Sequence, residues 1–166
     1  MLSISTVGTA DVPELMPMLR AYCDFYRVAP SDERLRALVT ALIDDPSEGL
    51  QLIARDTDGA ASAATSSRGT PLGFATIYWT WQTLHAGRVG VLNDLFVVPA
   101  SRGSGTGRAL IERCRELCRV GPHGSRGLGA ERLVWETAPD NATAQRLYDG
   151  LGAQKSTWLT YELDAR

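Results

Sequence analysis

The stretch that decides the fold is NDLFVVPASRGSGTGRALIERC, Asn93 to Cys114. An apolar run, Leu95 to Val98, stops at Pro99. Arg102 follows, then glycine at alternate positions (Gly103, Gly105, Gly107), then an apparent helix. The first four N–H groups of a helix have no partner inside it. Together with the helix macrodipole they attract anions. Glycine removes side chains that would hold an anion at a distance, and it adopts turn dihedrals that other residues resist. RGSGTG leading into RALIERC therefore has the physics of a phosphate cradle. A P-loop requires Lys-Ser or Lys-Thr after its last glycine, and Arg108-Ala109 stands there instead. A dinucleotide fingerprint requires a third glycine three places after the second, where Arg108 stands. The plainer alternative is a glycine-rich turn that only caps a helix.

Working outward from this stretch, Leu2, Ile4 and Thr6 alternate as in a short strand. Leu15, Met18, Leu19, Tyr22 and Tyr26 recur at helical spacing. Asp11 is a candidate N-cap, Glu14 would complete a capping box, and Pro13 is tolerated in the first turn. Ser31 caps a second helix with Leu35, Leu38, Val39, Leu42 and Ile43 on its apolar stripe, and Pro46 stops it. LQLIARD, LGFATIYWTWQ and RVGVLNDLFVV read as strands. TDGAASAATSSRGTP and GPHGSRGLGA read as loose loops. RLVWET reads as a strand, NATAQRLYDGLG as a helix ending at Gly150 or Gly152, and STWLTYEL as a last strand. The order β-α-α-β-β-β-α-β-α-β predicts one α/β (α+β) domain over residues 1–166, with a mostly antiparallel sheet.

Composition sets the broad class. The 166 residues are 44% hydrophobic and 22% charged, ordinary for a soluble globular protein. No window approaches the ~18 apolar residues of a membrane helix, and MLSISTVGTADVPE lacks the basic and apolar regions of a secretion signal. Three cysteines, Cys23, Cys114 and Cys118, make no disulfide framework and fit buried thiols in a reducing cytoplasm. Cys114 and Cys118 share a helix face, but two thiols without nearby histidines make a poor zinc site. The net charge of −2 hides an excess of acids over residues 1–60 and of arginines over residues 101–126. The basic segment is short and carries no aromatic residue, which argues against nucleic acid.

Three stretches in order, NDLFVVPASRG, RGSGTG and NATAQRLYDGLGA, resemble the motifs of the GNAT superfamily of N-acetyltransferases. The second has the form Arg-x-x-Gly-x-Gly (Arg102, Gly105, Gly107). The third places Asn141, Ala144, Leu147, Tyr148, Gly152 and Ala153 where the family has its second coenzyme-side helix. The resemblance spans roughly Leu72 to Leu163. It implies a mixed sheet of about six or seven strands with a splayed central pair, flanked by about four helices. It implies acetyl-CoA as co-substrate. Main-chain groups of Leu95, Phe96 and Val97 would run beside the pantetheine arm, and the Val97 N–H would polarise the thioester carbonyl. Arg102 and the amides of Gly103, Ser104, Gly105, Thr106, Gly107 and Arg108 would hold the pyrophosphate. Asn141 would bond the arm, and Tyr148, a phenol protonated at neutral pH, would protonate the departing thiolate. Read from periodicity alone, Tyr148 shares a stripe with Ala144, Leu147 and Leu151 and belongs to a core. Asn141 is equally an N-cap, a role for which Asp140 competes.

On the acceptor side, the amine must lose a proton before it attacks. Asp94 and Glu136 are the candidate bases or water organisers, each with a surface-carboxylate alternative. The stretch GFATIYWTWQTLHAGRVGVLNDLFV resembles the branch that acetylates polyamines, thialysine and related small basic amines. That branch often carries two acids on the central strand, whereas here the first is Asn93. Tyr78, Trp79 and Trp81 are candidates for the acceptor cleft, with core or dimer surface expected for at least one. His85 and His123 receive no catalytic role. The expected protein is a cytoplasmic, homodimeric enzyme that binds neither metal nor membrane and acetylates a small-molecule amine by direct attack. The alternatives are a non-catalytic coenzyme-binding regulator, a protein or peptide N-acetyltransferase, and an unrelated phosphate-binding module.

Overall fold

A computed structural model describes residues 1–58, 68–120 and 129–165. The loop readings at 59–67 and 121–128, and with them His123, lie outside the described residues. The chain divides into two compact units, Met1–Glu136 and Thr137–Arg166.

The first unit is built on one sheet. Its strands are β1 (Leu2–Thr6), β2 (Gly49–Asp56), β3 (Thr70–Gln82), β4 (Gly87–Val97) and β5 (Leu133–Val134). They lie in sequence order, antiparallel through β4, with β5 parallel to β4. Three helices belong to this unit: α1 (Val12–Phe25), α2 (Asp32–Asp44) and α3 (Thr106–Val120). Alternation along each strand separates two faces. Ile53 and Phe74 face one way and pack with Leu15, Leu19, Leu35 and Val39 of α1 and α2. Ile77, three places after Phe74, faces the other way, where Cys118 of α3 lies over Gly90. Leu15, Val39, Ile53, Phe74, Ile77 and Leu110 are fully buried, each worth about 1.5–3 kcal/mol relative to exposure.

The caps divide by what else needs their oxygens. Ser31 Oγ accepts from the Arg34 N–H at 3.3 Å, so α2 begins as its sequence indicates. Asp11 precedes α1 but makes no side-chain cap, and Glu14 does not complete a capping box there. Both carboxylates instead receive Arg55 of β2, at 2.6 Å to Asp11 and 2.8 Å to Glu14. Arg68 adds a bond to Asp11 at 2.9 Å. Arg55 is buried, and an interior guanidinium without anions is far costlier than an imperfect helix start.

The second unit contains α4 (Ala142–Gly150), and residues 153–165 form no strand. Among the described residues the sheet therefore has five strands, not six or seven. A strand is a pairing, and alternation alone does not supply a partner. Trp158, Leu159, Tyr161 and Leu163 of the expected last strand are exposed. β5 is likewise shorter than RLVWET suggests.

Candidate active site

The site begins at an irregularity in β4. Thr76 pairs with Asp94 and Ile77 with Leu92, so Asn93 has no partner across the ladder. One extra residue in a strand is a β-bulge, which bends the strand and ends regular pairing nearby. On its other side β4 pairs with β5 only at Gly90 and Val91. From Asn93 to Val97, no other strand of the described residues borders that edge. The Val98 N–H donates to the Leu72 carbonyl at 2.9 Å. Antiparallel alternation then turns Phe96 toward β3, and the N–H groups of Leu95 and Val97 toward the open edge. Leu95 and Val97 are half-buried and Phe96 is buried.

The open edge runs directly into the glycine turn. Pro99–Ser101 makes a single 3-10 turn. Arg102 Nε donates back to the Val97 carbonyl at 3.3 Å and ties the turn to the strand end. Ser104 Oγ donates to the Ser101 carbonyl at 2.7 Å and lies 2.9 Å from Thr106 Oγ1. Gly103 and Gly105 have φ of +82° and +89°, and a Cβ on either would meet nothing within 4 Å. Both therefore take a backbone that L side chains resist, in a stretch with no packing reason for small residues. The space beside them is open. Gly107 differs: it lies inside the first turn of α3, whose first main-chain bond joins the Ala109 N–H to the Gly105 carbonyl at 3.0 Å. Thr106 is buried, and Arg108 is exposed in an i,i+4 pair with Glu112 at 3.7 Å. The open edge and a helix start facing free space suit an extended thioester carrying a diphosphate.

Asp94 is half-buried and accepts from Asn93 Nδ2 at 3.1 Å. The three aromatics of β3 sort by parity. Tyr78 follows Phe74 and Thr76 on the Asp94 face, Trp79 is buried on the α3 face, and Trp81 is exposed with the Arg88 guanidinium 5.2 Å above its ring. Burial first, and the Asp94 charge second, push the Tyr78 phenol above its ordinary pKa. Two residues that spacing alone reads as helix stripe belong to this neighbourhood. Burial is the main cause that pushes the Tyr22 phenol strongly upward, and the Asp94 and Tyr26 side chains add to it. The available signal was a pair of hydroxyl-bearing aromatics, Tyr22 and Tyr26, one turn apart at the end of an apolar stripe.

Glu136 is exposed and lies two residues beyond β5, not on a strand. His85 sits in the turn after β3, with Nε2 3.1 Å from Arg132 Nη1. Asn141 and Tyr148 belong to the second unit. Asn141 is the N-cap of α4, its Oδ1 accepting from the Ala144 N–H at 3.2 Å. Tyr148 is half-buried on α4, which has no fully buried residue. Burial drives the Cys114 thiol to about 12 and the Cys118 thiol to about 11. Both stay neutral at physiological pH and supply no thiolate nucleophile. Among the described residues, no group of three His, Cys, Asp or Glu is placed to hold a metal, and no helix is long and apolar enough to cross a membrane.

Known proteins share this fold. The profile of the acetyltransferase (GNAT) family matches residues 15–153. An uncharacterised N-acetyltransferase of Bacillus subtilis (strain 168), YhfO, is 28% identical over 160 residues, 96% of this chain and 95% of its own. Two solved structures share the fold. A ribosomal-protein-alanine N-acetyltransferase from Brucella melitensis biovar Abortus 2308 has a TM-score of 0.71 at 20% identity, covering 99% of each chain. The aminoglycoside N-acetyltransferase AAC(6')-Iy, in complex with CoA, has a TM-score of 0.77 at 16% identity, covering 100% of this chain and 96% of its own. With the bulged strand, the open edge and the glycine turn in place, the chain belongs to the acetyltransferase (GNAT) family, acyltransferases whose acetyl donor is acetyl-CoA.

Proposed function

We propose that the chain, as a single N-acetyltransferase domain, transfers the acetyl group to the primary amine of a small molecule: a polyamine, an amino acid or a related amine. The observation that carries this reading is the open edge of β4 running into the turn with positive φ at Gly103 and Gly105. The main chain of Leu95, Phe96 and Val97 aligns the pantetheine arm. The Val97 N–H receives the charge that builds on the thioester oxygen. Arg102 and the amides from Gly103 to Arg108 hold the diphosphate. Asn141 bonds the arm.

The amine nitrogen attacks the carbonyl carbon, the C–S bond breaks, and Tyr148 gives its proton to the leaving sulfur. Asp94, with Glu136 as the second candidate, takes or relays the proton lost by the amine. No covalent enzyme intermediate is required, in keeping with the buried, neutral thiols. Asn93 in place of a second acid shifts the preference from polyamines toward amines carrying fewer charges. The enzyme of this reading works in the cytoplasm as a homodimer, and sedimentation at micromolar concentration tests the latter.

The direct test is thiol release from acetyl-CoA with a panel of polyamines, lysine analogues, aminoglycosides and peptides. Turnover with a small amine supports the reading. Turnover with peptides alone, or with none of the panel, contradicts it. Tyr148→Phe lowers kcat with little change in either KM, and unchanged activity removes Tyr148 as the acid.

A further inference from the structure

Among the described residues, three buried side-chain atoms meet no hydrogen-bonding partner: Gln51 Oε1, Trp79 Nε1 and Arg88 Nε. Trp79 and Arg88 lie on the α3 face of the sheet, Arg88 through its pairing with Trp81. Gln51 alone lies on the opposite face. The ladders set Gln51 opposite Thr76 and Thr76 opposite Asp94, so the three stand in one row across β2, β3 and β4. The next row on that face, Ile53, Phe74 and Phe96, is apolar and buried.

Gln51 is 3% exposed and Thr76 is fully buried. Polar side chains at such positions cost free energy that valine or leucine would not, unless each polar atom is met. One bond is made: Gln51 Nε2 donates to Thr76 Oγ1 at 3.2 Å. That bond uses a lone pair of the threonine oxygen and leaves its O–H to donate elsewhere. The Gln51 carbonyl is left without a donor. Turning the amide over moves the unmet atom from Oε1 to Nε2 and does not remove it. The half-buried Asp94 carboxylate completes the row. Directly opposed side chains on one face have Cβ atoms about 4.5–5.5 Å apart, within reach of a shared water. One water satisfies all three groups. It donates one hydrogen to Gln51 Oε1 and the other to an Asp94 oxygen, and it accepts the Thr76 O–H. Three polar partners are what a buried water ordinarily has.

We propose that Gln51 and Thr76 hold a water against Asp94 and so fix the direction in which its carboxylate faces the amine. This rests on the reading of Asp94 as the group that takes or relays the amine's proton. Gln51 and Thr76 touch neither the substrate nor the reacting carbon, so they are positioning residues. Asn93 Nδ2 already donates to Asp94 Oδ1 at 3.1 Å, and the water is a second fixed donor from the sheet side. A carboxylate held by two fixed donors does not have to be ordered before it reacts.

A high-resolution crystal structure of the full chain tests the water directly. It should show a water within about 2.6–3.2 Å of Gln51 Oε1, Thr76 Oγ1 and an Asp94 oxygen. A dry row, or a water that touches Gln51 but not Asp94, overturns the proposal. Thiol release with the panel amine that turns over fastest tests the positioning. The double variant Gln51→Leu with Thr76→Val makes the row apolar without leaving half a bond, so its urea midpoint stays near that of the wild type. Its kcat falls about tenfold, with the KM for acetyl-CoA unchanged. Thr76→Val alone lowers kcat to the same level, because the two residues act as one unit. Thr76→Ser keeps the hydroxyl and restores most of kcat. Full kcat in the double variant, or a Thr76→Ser as slow as Thr76→Val, overturns the positioning role. If no amine of the panel turns over in the wild type, the amine reading falls, and the crystal structure alone decides the water.

Discussion

The turn proposed to hold the donor, just after β4, and the pocket proposed for the acceptor, at Asp94 on β4, are made of different material. The turn from Arg102 to Arg108 is main chain. Gly103 and Gly105 place no side chain in the space beside them, and the following helix supplies donors and dipole. The pocket at Asp94 is side chain, drawn from α1, β3 and β4. A main-chain site recognises what all substrates of the family share, the diphosphate and thioester. A side-chain site sets what differs, the amine. Substitution near the turn should therefore act on acetyl-CoA, and substitution near Asp94 on the acceptor.

The largest expected effect comes from outside both. Arg55→Met removes the buried cation from Asp11 and Glu14 and leaves them only the more exposed Arg68 guanidinium, which costs about 3 kcal/mol. Urea unfolding reads this as a lower midpoint with an unchanged slope. The loss loosens the start of α1, which also carries Tyr22, so acceptor binding should suffer more than acetyl-CoA binding. Next, Asp94→Asn lowers kcat/KM for the amine about a hundredfold with the KM for acetyl-CoA unchanged. A matching rise in the latter would break the division. Gly105→Val forces a β-branched residue to φ near +89° and weakens acetyl-CoA about tenfold. Titration calorimetry measures it, and the KM for the amine in the thiol-release assay should not move.

The smallest effect is one of pH. Burial raises the Cys114 and Cys118 thiols to about 12 and about 11 from an unfolded value near 9. The folded state thus prefers the neutral thiols. Their contribution to stability is complete below about pH 9 and is lost as pH rises toward 11–12. Stability should be level between about pH 6 and 8 and decline above 9. Cys114→Ala with Cys118→Ala should flatten part of that decline, and an identical decline in the double variant would contradict the assignment.

The same contrast explains what was legible in the sequence. The glycine turn, the Ser31 cap and the order of elements as far as α4 are contiguous signals, and each appears where spacing places it. The motif resemblance implied a splayed central pair but not the position of the irregularity, which the ladder sets at Asn93. Arg55 was not legible as the partner of Asp11 and Glu14, because pairing across more than 40 residues leaves no local mark. Tyr22 carried the spacing of a core stripe, and only the fold sets its ring against Phe74 and Phe96, one rung from Asp94. Residues 156–163 alternate as a strand does, but a ladder needs a second edge, and they form none among the described residues.

The central claim is that main-chain donors at one turn hold the coenzyme while the freed edge of β4 presents its thioester. A crystal structure of the chain with acetyl-CoA tests this most directly. The account predicts diphosphate oxygens within hydrogen-bonding distance of the amides between Gly103 and Arg108, and the thioester oxygen at the Val97 N–H. Coenzyme bound elsewhere, with that turn vacant, would contradict it.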